Sequence, residues 1–174
     1  LLEEIFANHD GGSFSQFYYF DSFQSGKIFA GPIWDYDLAM GGYDTWLRPY
    51  TNIFIMNREY KEEGLYTPWY HALYQKKEFL ERVEVLYAQK FLPAMEELLA
   101  HDFDAEMQHL TLAHQKDALR WGYSQKAIQQ EKDYIRSFLE ERLAFLTDIW
   151  IHDIKYHTVR VDIGRKDIYG YFVV

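Results

Sequence analysis

The sequence predicts an α+β fold that is mainly helical, with one small β-hairpin and a short β segment at the C-terminal end. Three observations support this prediction. Apolar residues recur at helical spacing over most of residues 68–150. Two aromatic, strand-like runs, residues 16–20 and 27–30, enclose a turn-forming segment. Strand-like alternation of apolar and polar residues returns only after Trp150.

The N-terminal third contains the hairpin and the turns around it. Residues 2–7 are typical of the last turns of an amphipathic helix, and the turn formers of residues 8–13 follow it. Residues 21–26 supply the turn between the two strands. Gly31-Pro32 ends the second strand, because proline has no N–H to donate to a strand ladder.

The rest of the chain is predominantly helical. Thr67-Pro68 predicts a helix start, since a hydroxyl cap precedes proline at the first helical position. We expect Pro93 to kink or divide that helix. A second helix is predicted over residues 105–121, closed by Gly122, and a third begins near Ser124. The tryptophans at packing positions are expected in the core: Trp34, Trp69, Trp121 and Trp150.

The domain organisation predicted from these patterns is one lobe, residues 1–152, followed by a β tail, residues 153–174. We expect the tail to be the start of a separate β module. The chain begins inside a helix at Leu1 and stops on the apolar run that ends at Val174. Both ends are therefore expected to be cut from a longer protein.

Composition excludes several classes of function. The 174 residues suffice for one domain with a core. The 27 acidic residues outnumber 18 basic ones, and this net charge of −9 argues against a nucleic-acid partner. It suits an acidic metal site, although solubility alone also explains it. Without cysteine, the chain has no thiol chemistry or disulfides. No apolar run approaches the roughly 18 residues of a membrane span.

Three aspartates form the candidate site. A hairpin places the segment before its first strand beside the segment after its second, so Asp10 should approach Asp35 and Asp37. Converging carboxylates can hold a divalent cation and accept a proton. The protein-kinase site has the same order: a catalytic Asp, an Asn five residues later, a hairpin and a metal-binding Asp. Here Ser15 occupies the Asn position, and the neighbouring Gln16 is the alternative ligand.

These residues resemble the spore coat protein H (CotH) kinase family. The resemblance lies in Glu4…Asn8-x-Asp10…Ser15 and in Gly31-Pro32-x-Trp34-Asp35-Tyr36-Asp37-Leu38-Ala39-x-Gly41, and it extends to Trp69, residues 79–87, Arg120-Trp121 and residues 142–146. It therefore covers residues 1 to about 150. It implies a kinase-like C-terminal lobe that uses magnesium and ATP to phosphorylate Ser or Thr of a protein substrate. Asp10 corresponds to the catalytic Asp of the family, and Asp35 to its metal-binding Asp.

The resemblance also implies what should surround this lobe. The lysine that clamps ATP belongs to an N-terminal lobe that precedes these residues, so the chain alone should be inactive. An uncovered apolar surface near Phe17, Tyr19 and Phe29 would favour self-association. The family suggests a spore coat, or a secreted or cell-surface location, in a bacterium.

Simpler interpretations remain open. Asp10 lies in a turn, where aspartate is common, and Asp35 or Asp37 could cap a helix starting at Leu38. The whole lobe could be a non-catalytic adhesion or scaffold module on a cell or spore surface. A carboxylate-based glycoside hydrolase is a further alternative, because paired aspartates and many aromatic residues also suit sugars.

Overall fold

The computed structural model describes residues 1–9, 11, 15–20, 22–23, 25–41, 51–52, 54–55 and 68–153. Within them the fold is α+β and mainly helical, as the sequence predicts. Asp10, much of the segment that joins the hairpin to the helices, and the predicted β tail after Asp153 lie outside the described residues.

The predicted hairpin is present. Strands β1 (Tyr18–Phe20) and β2 (Ile28–Ala30) pair antiparallel, with Tyr19 opposite Phe29. The rings of these two residues stack with centroids 5.4 Å apart. The N–H of Gly31 donates to the carbonyl of Phe17 at 2.9 Å and closes the open end of the ladder. The two strands thus carry the chain out from the N-terminal helix and return it to the same place.

Seven α-helices are described. They are α1 (Leu2–Ile5), α2 (Pro68–Tyr74), α3 (Lys77–Leu86), α4 (Leu92–Glu97), α5 (Phe103–His109), α6 (Thr111–Trp121) and α7 (Gln125–Trp150). A 3₁₀ turn covers Ala39–Gly41, and π turns at Tyr87–Phe91 and Leu98–Asp102 join α3, α4 and α5 into one continuous helix.

Of the two outcomes expected at Pro93, a kink stays a prediction and the division is wrong, because the helix continues past Pro93. Pro93 lies in the first turn of α4, directly after a π turn. The wider π turn removes the regular hydrogen-bond pattern where the proline ring would clash, and the helix continues through it. The break predicted before residue 105 is also absent, because the π turn at Leu98–Asp102 continues α4 directly into α5. The observed breaks lie between α2 and α3 and at Leu110.

The predicted boundary between the last two helices is confirmed. Gly122 ends α6 in the left-handed conformation (φ 76°), and the N–H of Tyr123 donates to the carbonyl of Ala118 at 2.9 Å. Ser124 caps α7, because its hydroxyl accepts from the N–H of Ala127 at 3.0 Å. Both ends follow from local residue chemistry.

Helix α7 is the centre of the core. One face of it is buried against α1, α3, the first π turn and α4. The buried residues of this cluster are Ile5, Ala7, Ile55, Val83, Tyr87, Met95, Phe138, Leu139, Leu143, Phe145, Leu146 and Trp150. The short α1 is therefore fixed by tertiary packing, since four residues are too few to form a stable helix alone.

Only one of the four tryptophans expected in the core is buried. Trp150 lies in the main cluster, whereas the side chains of Trp34, Trp69 and Trp121 are 57%, 77% and 61% exposed. The expectation for these three was wrong. Periodic spacing identifies the apolar face of an element but not whether another element covers that face.

Candidate functional site

The site begins at the C-terminal end of α1. Ala7 adopts the left-handed conformation (φ 48°), and the N–H groups of Ala7 and Asn8 donate to the carbonyls of Glu4 and Glu3 at 3.2 and 2.9 Å. This is the Schellman pattern that normally uses glycine at the position of Ala7. It turns the chain sharply, so that Asn8 and His9 enter the interior, where both are buried.

Asn8 connects this turn to the loop after the hairpin. Its side-chain amide donates to the backbone carbonyl of Asp35 at 3.4 Å, so the two segments flanking the hairpin lie side by side. The side-chain oxygen of Asn8 is fully buried and has no hydrogen-bond partner among the described residues. Buried polar atoms are rarely left unpaired, so this oxygen marks a place where a further donor or cation is expected.

Asp35 has a strained backbone. Its φ of 62° lies in the left-handed region, which costs a non-glycine residue on the order of 1–2 kcal/mol. Such strain is concentrated at functional sites. The Asp35 side chain is exposed, so the loop presents its carboxylate to solvent.

Ser15 lies directly on Asp35. Its hydroxyl donates to a carboxylate oxygen of Asp35 at 2.9 Å, so the structure brings these two predicted site residues together. Gln16 faces elsewhere: its side-chain oxygen accepts from the hydroxyls of Tyr18 and Tyr70, the latter at 2.7 Å. The oxygen with which Gln16 would bind a metal is therefore already occupied, which favours Ser15 as the partner of Asp35.

Of the other predicted site residues, Asp37 is described and Asp10 is not. Asp37 is exposed, in the turn where the carbonyl of Tyr36 accepts from the N–H of Ala39 at 3.1 Å. Asp10 lies outside the described residues, so its distance from Asp35 stays a prediction. In the described part of the chain, no three His, Asp or Glu side chains form a group that could hold a metal ion.

Glu3 and Gly11 lie very close to each other next to the site residues. A Cβ atom at Gly11 would lie 1.9 Å from a carboxylate oxygen of Glu3, so a larger residue there would require the Glu3 side chain to move. The hydroxyl of Tyr36 also lies near Glu3. Burial first, and then the Glu3 carboxylate, raise the pKa of Tyr36 well above its usual value. Tyr36 therefore stays protonated.

The structure also contains a buried ion pair that the sequence patterns did not identify. The guanidinium of Arg142 contacts the carboxylate of Glu4, and both side chains are almost completely buried. The apolar spacing of α7 contained the signal, because Arg142 lies midway between the buried residues Phe138 and Leu146. A charged residue on an apolar helix face needs a partner inside the protein.

The oxygen-rich chemistry of this loop fits a hard divalent cation. Asp35 offers an exposed carboxylate, and Ser15 a hydroxyl beside it. Magnesium is usually held by one or two carboxylates and completes its shell with water and substrate phosphates. The chemistry of Asp35 and Ser15 therefore fits magnesium, which these two residues could hold.

Comparisons with known proteins identify the family. The family model described as CotH kinase protein matches residues 1–146. Searches of curated proteins and of solved structures found no significant match. Within the described residues, no helix has the length and apolar character needed to cross a membrane.

Proposed function

Because the chain belongs to the CotH kinase protein family, we propose that it forms the kinase-like C-terminal lobe of an atypical protein kinase. The reaction would transfer phosphate from ATP to a Ser or Thr hydroxyl of a protein substrate. The observation that carries this proposal is the convergence of Asn8, Ser15 and the strained Asp35 at the base of the hairpin. A kinase places its metal-binding Asp in the same position relative to its catalytic loop.

Each residue then has a distinct role. Asp10 would accept the proton of the attacking hydroxyl, as the catalytic Asp of a kinase does. Asp35, with Asp37 beside it in sequence, would hold magnesium, which neutralises the charge of the transferred phosphate when bound. Ser15 orients the Asp35 carboxylate and could ligate the metal in place of the usual Asn. Asn8 keeps the two loops in register through the Asp35 carbonyl.

The proposal extends to the rest of the protein. An N-terminal lobe with an ATP-clamping lysine would cover the hairpin, whose side chains Phe17 and Tyr19 are about half exposed. Residues 153–174 would begin a separate β module. The family name suggests an association with the spore coat.

The test is a phosphoryl-transfer assay with ATP, magnesium and a protein acceptor, using the full-length protein. Asp10→Asn and Asp35→Asn should each lower kcat by at least about 100-fold, the usual contribution of a general base or a metal ligand. Asp133→Asn is the matched control, because Asp133 is exposed on α7 and, among the described residues, its side chain bonds only to Gln129 of the same helix. It should retain wild-type activity.

Other outcomes would support the alternatives. If Asp10→Asn and Asp35→Asn behave like the control in every assay, the scaffold function is favoured. Release of sugar from a glycan by the wild type, lost in the same two variants, would instead support a glycoside hydrolase.

Ser15 and Gln16 can be separated by substitution. Ser15→Asn introduces the amide oxygen that kinases use at this position, and it should maintain or tighten Mn²⁺ binding. Ser15→Ala should weaken Mn²⁺ binding, because it removes the hydroxyl that contacts Asp35. Gln16→Met removes the amide oxygen without adding a charge, and it should leave Mn²⁺ affinity unchanged, because that oxygen accepts from Tyr18 and Tyr70. Weaker Mn²⁺ binding in the Gln16 variant alone would assign the metal ligand to Gln16.

A further inference from the structure

The Glu4–Arg142 pair connects three separate parts of the chain. Nε and one terminal nitrogen of Arg142 donate to the Glu4 carbonyl at 3.0 and 2.8 Å, and the same terminal nitrogen contacts the Glu4 carboxylate. The other terminal nitrogen donates to the carbonyl of Thr51 at 2.8 Å. The Glu4 carboxylate also accepts from the N–H of Ile55 at 2.7 Å. Helix α7, helix α1 and the segment around residues 51–55 therefore meet at one ion pair.

Stability does not explain why these two charges are in the core. The side chains are 0% and 1% exposed, so both ions have lost their hydration. Replacement of such a pair by apolar residues of similar volume is often neutral or even stabilising, because desolvation opposes the attraction. Buried ionic groups are better explained where they select one arrangement of the chain over others.

The arrangement selected here is that of the candidate site. Arg142 contacts the carbonyl of Glu4, the residue whose carbonyl also accepts from Ala7 in the turn that ends α1. That turn places Asn8 against the Asp35 carbonyl, and Asp10 follows two residues later. Apolar packing alone would hold α1 against α7 without setting its position along the helix axis. A bidentate guanidinium contact does set that position.

We propose that Glu4 and Arg142 form a positioning pair. The pair sets the position of the turn that ends α1, at Ala7 and Asn8, relative to the loop that contains Asp35. As a statement about catalysis, this inference rests on the proposed kinase function. As a statement about the geometry of the turn, it does not. Arg142 touches neither Asp35 nor Ser15 in the structure, so its effect on them is transmitted through α1.

The principal variant removes both charges together, so that no uncompensated ion is left in the core. In Glu4→Gln with Arg142→Met, the glutamine keeps an acceptor for the Ile55 N–H, and methionine keeps an unbranched apolar chain. A second variant, Arg142→Lys, retains the charge but cannot reach Glu4 and Thr51 together. Arg136→Met is the matched control, because Arg136 lies on the same helix and binds Asp104 and the Leu99 carbonyl.

Two measurements on the full-length protein test the proposal. The double variant should lower kcat by about 100-fold, as expected for a displacement of about 1 Å at a reacting group, with little change in KM for ATP. Hydrogen exchange should become about tenfold faster at the amides of Ala7, Asn8 and Gly11, while the amides of α7 remain protected. The amides of Ala7 and Asn8 close the turn that ends α1, and the amide of Gly11 donates to the Asn8 carbonyl in the turn that follows. Arg136→Met should leave both measurements unchanged.

The outcomes separate this inference from the proposed function. Wild-type exchange at the three amides, together with wild-type kcat, would overturn the positioning role. If the wild type shows no phosphoryl transfer but the double variant still loosens the turn, the kinase function fails and the positioning of the turn stands. If the double variant does not fold, as judged by circular dichroism, the same two measurements on Arg142→Lys test the positioning role. Wild-type exchange and kcat in that folded variant would equally refute the proposal.

Discussion

Arg142→Met by itself should destabilise the protein severely. The substitution removes the guanidinium that contacts the buried Glu4 carboxylate, and the Glu4 and Thr51 carbonyls lose the donors of Arg142. Removal of one partner of a buried pair costs about 3–5 kcal/mol, because the remaining charge stays out of water. Since the free energy of unfolding of a domain is about 5–15 kcal/mol, this is a large share of the total.

Arg136→Met is the reference variant against which the loss of stability in Arg142→Met is compared. Arg136 sits on α7 two turns before Arg142, and it contacts the Asp104 carboxylate at 3.0 Å and the Leu99 carbonyl at 2.8 Å. The Asp104 side chain is mostly exposed, so water can replace the lost contact. The expected cost is about 1 kcal/mol. The two substitutions are chemically identical and differ in burial.

Urea unfolding of this chain, followed by circular dichroism at 222 nm, measures both costs. The midpoint should shift far more for Arg142→Met than for Arg136→Met, with similar slopes. Addition of Glu4→Gln to Arg142→Met should recover part of the loss, because it removes the buried negative charge that Arg142 contacted. If Arg142→Met loses no more stability than Arg136→Met, the pair is not desolvated as described, and its proposed role fails with it.

Three further results are expected. Tyr87→Phe should cost about 0.5–1.5 kcal/mol in the same urea experiment, because the buried hydroxyl donates to the Leu143 carbonyl at 3.1 Å and contacts Thr147. Burial raises the pKa of Tyr74 and of Tyr87 above 10, so above pH 10 the folded chain keeps protons that the unfolded chain releases. Stability should therefore fall as the pH rises above 10, and less steeply in Tyr87→Phe; a flat profile from pH 9 to 11 would contradict this. The 174-residue chain alone should show no phosphoryl transfer in the ATP assay, since phosphoryl transfer needs groups that grip the phosphates as well as groups that bind the metal. Robust transfer by this chain would show that the site is complete without a further lobe.

Local signals in the sequence were sufficient for much of the fold. The cap at Ser124, the left-handed Gly122 and the strands that flank residues 21–26 were all predicted from neighbouring residues. The family that residues 1–146 match was recognised from two short strings, Glu4…Asn8-x-Asp10…Ser15 and the more specific Gly31-Pro32-x-Trp34-Asp35-Tyr36-Asp37. These features depend on chemistry within a few positions along the chain, which a sequence displays directly.

Tertiary structure decided what depends on distant contacts. Ser15 rather than Gln16 faces Asp35, because the oxygen of Gln16 is held by tyrosines of β1 and α2. Trp69 and Trp121 satisfy helical spacing but are exposed, since no described element covers them. Glu4 and Arg142 are 138 positions apart, and neither residue indicates its partner by itself. A buried charge must be neutralised wherever the fold places it, so only the packed chain determines which two residues meet.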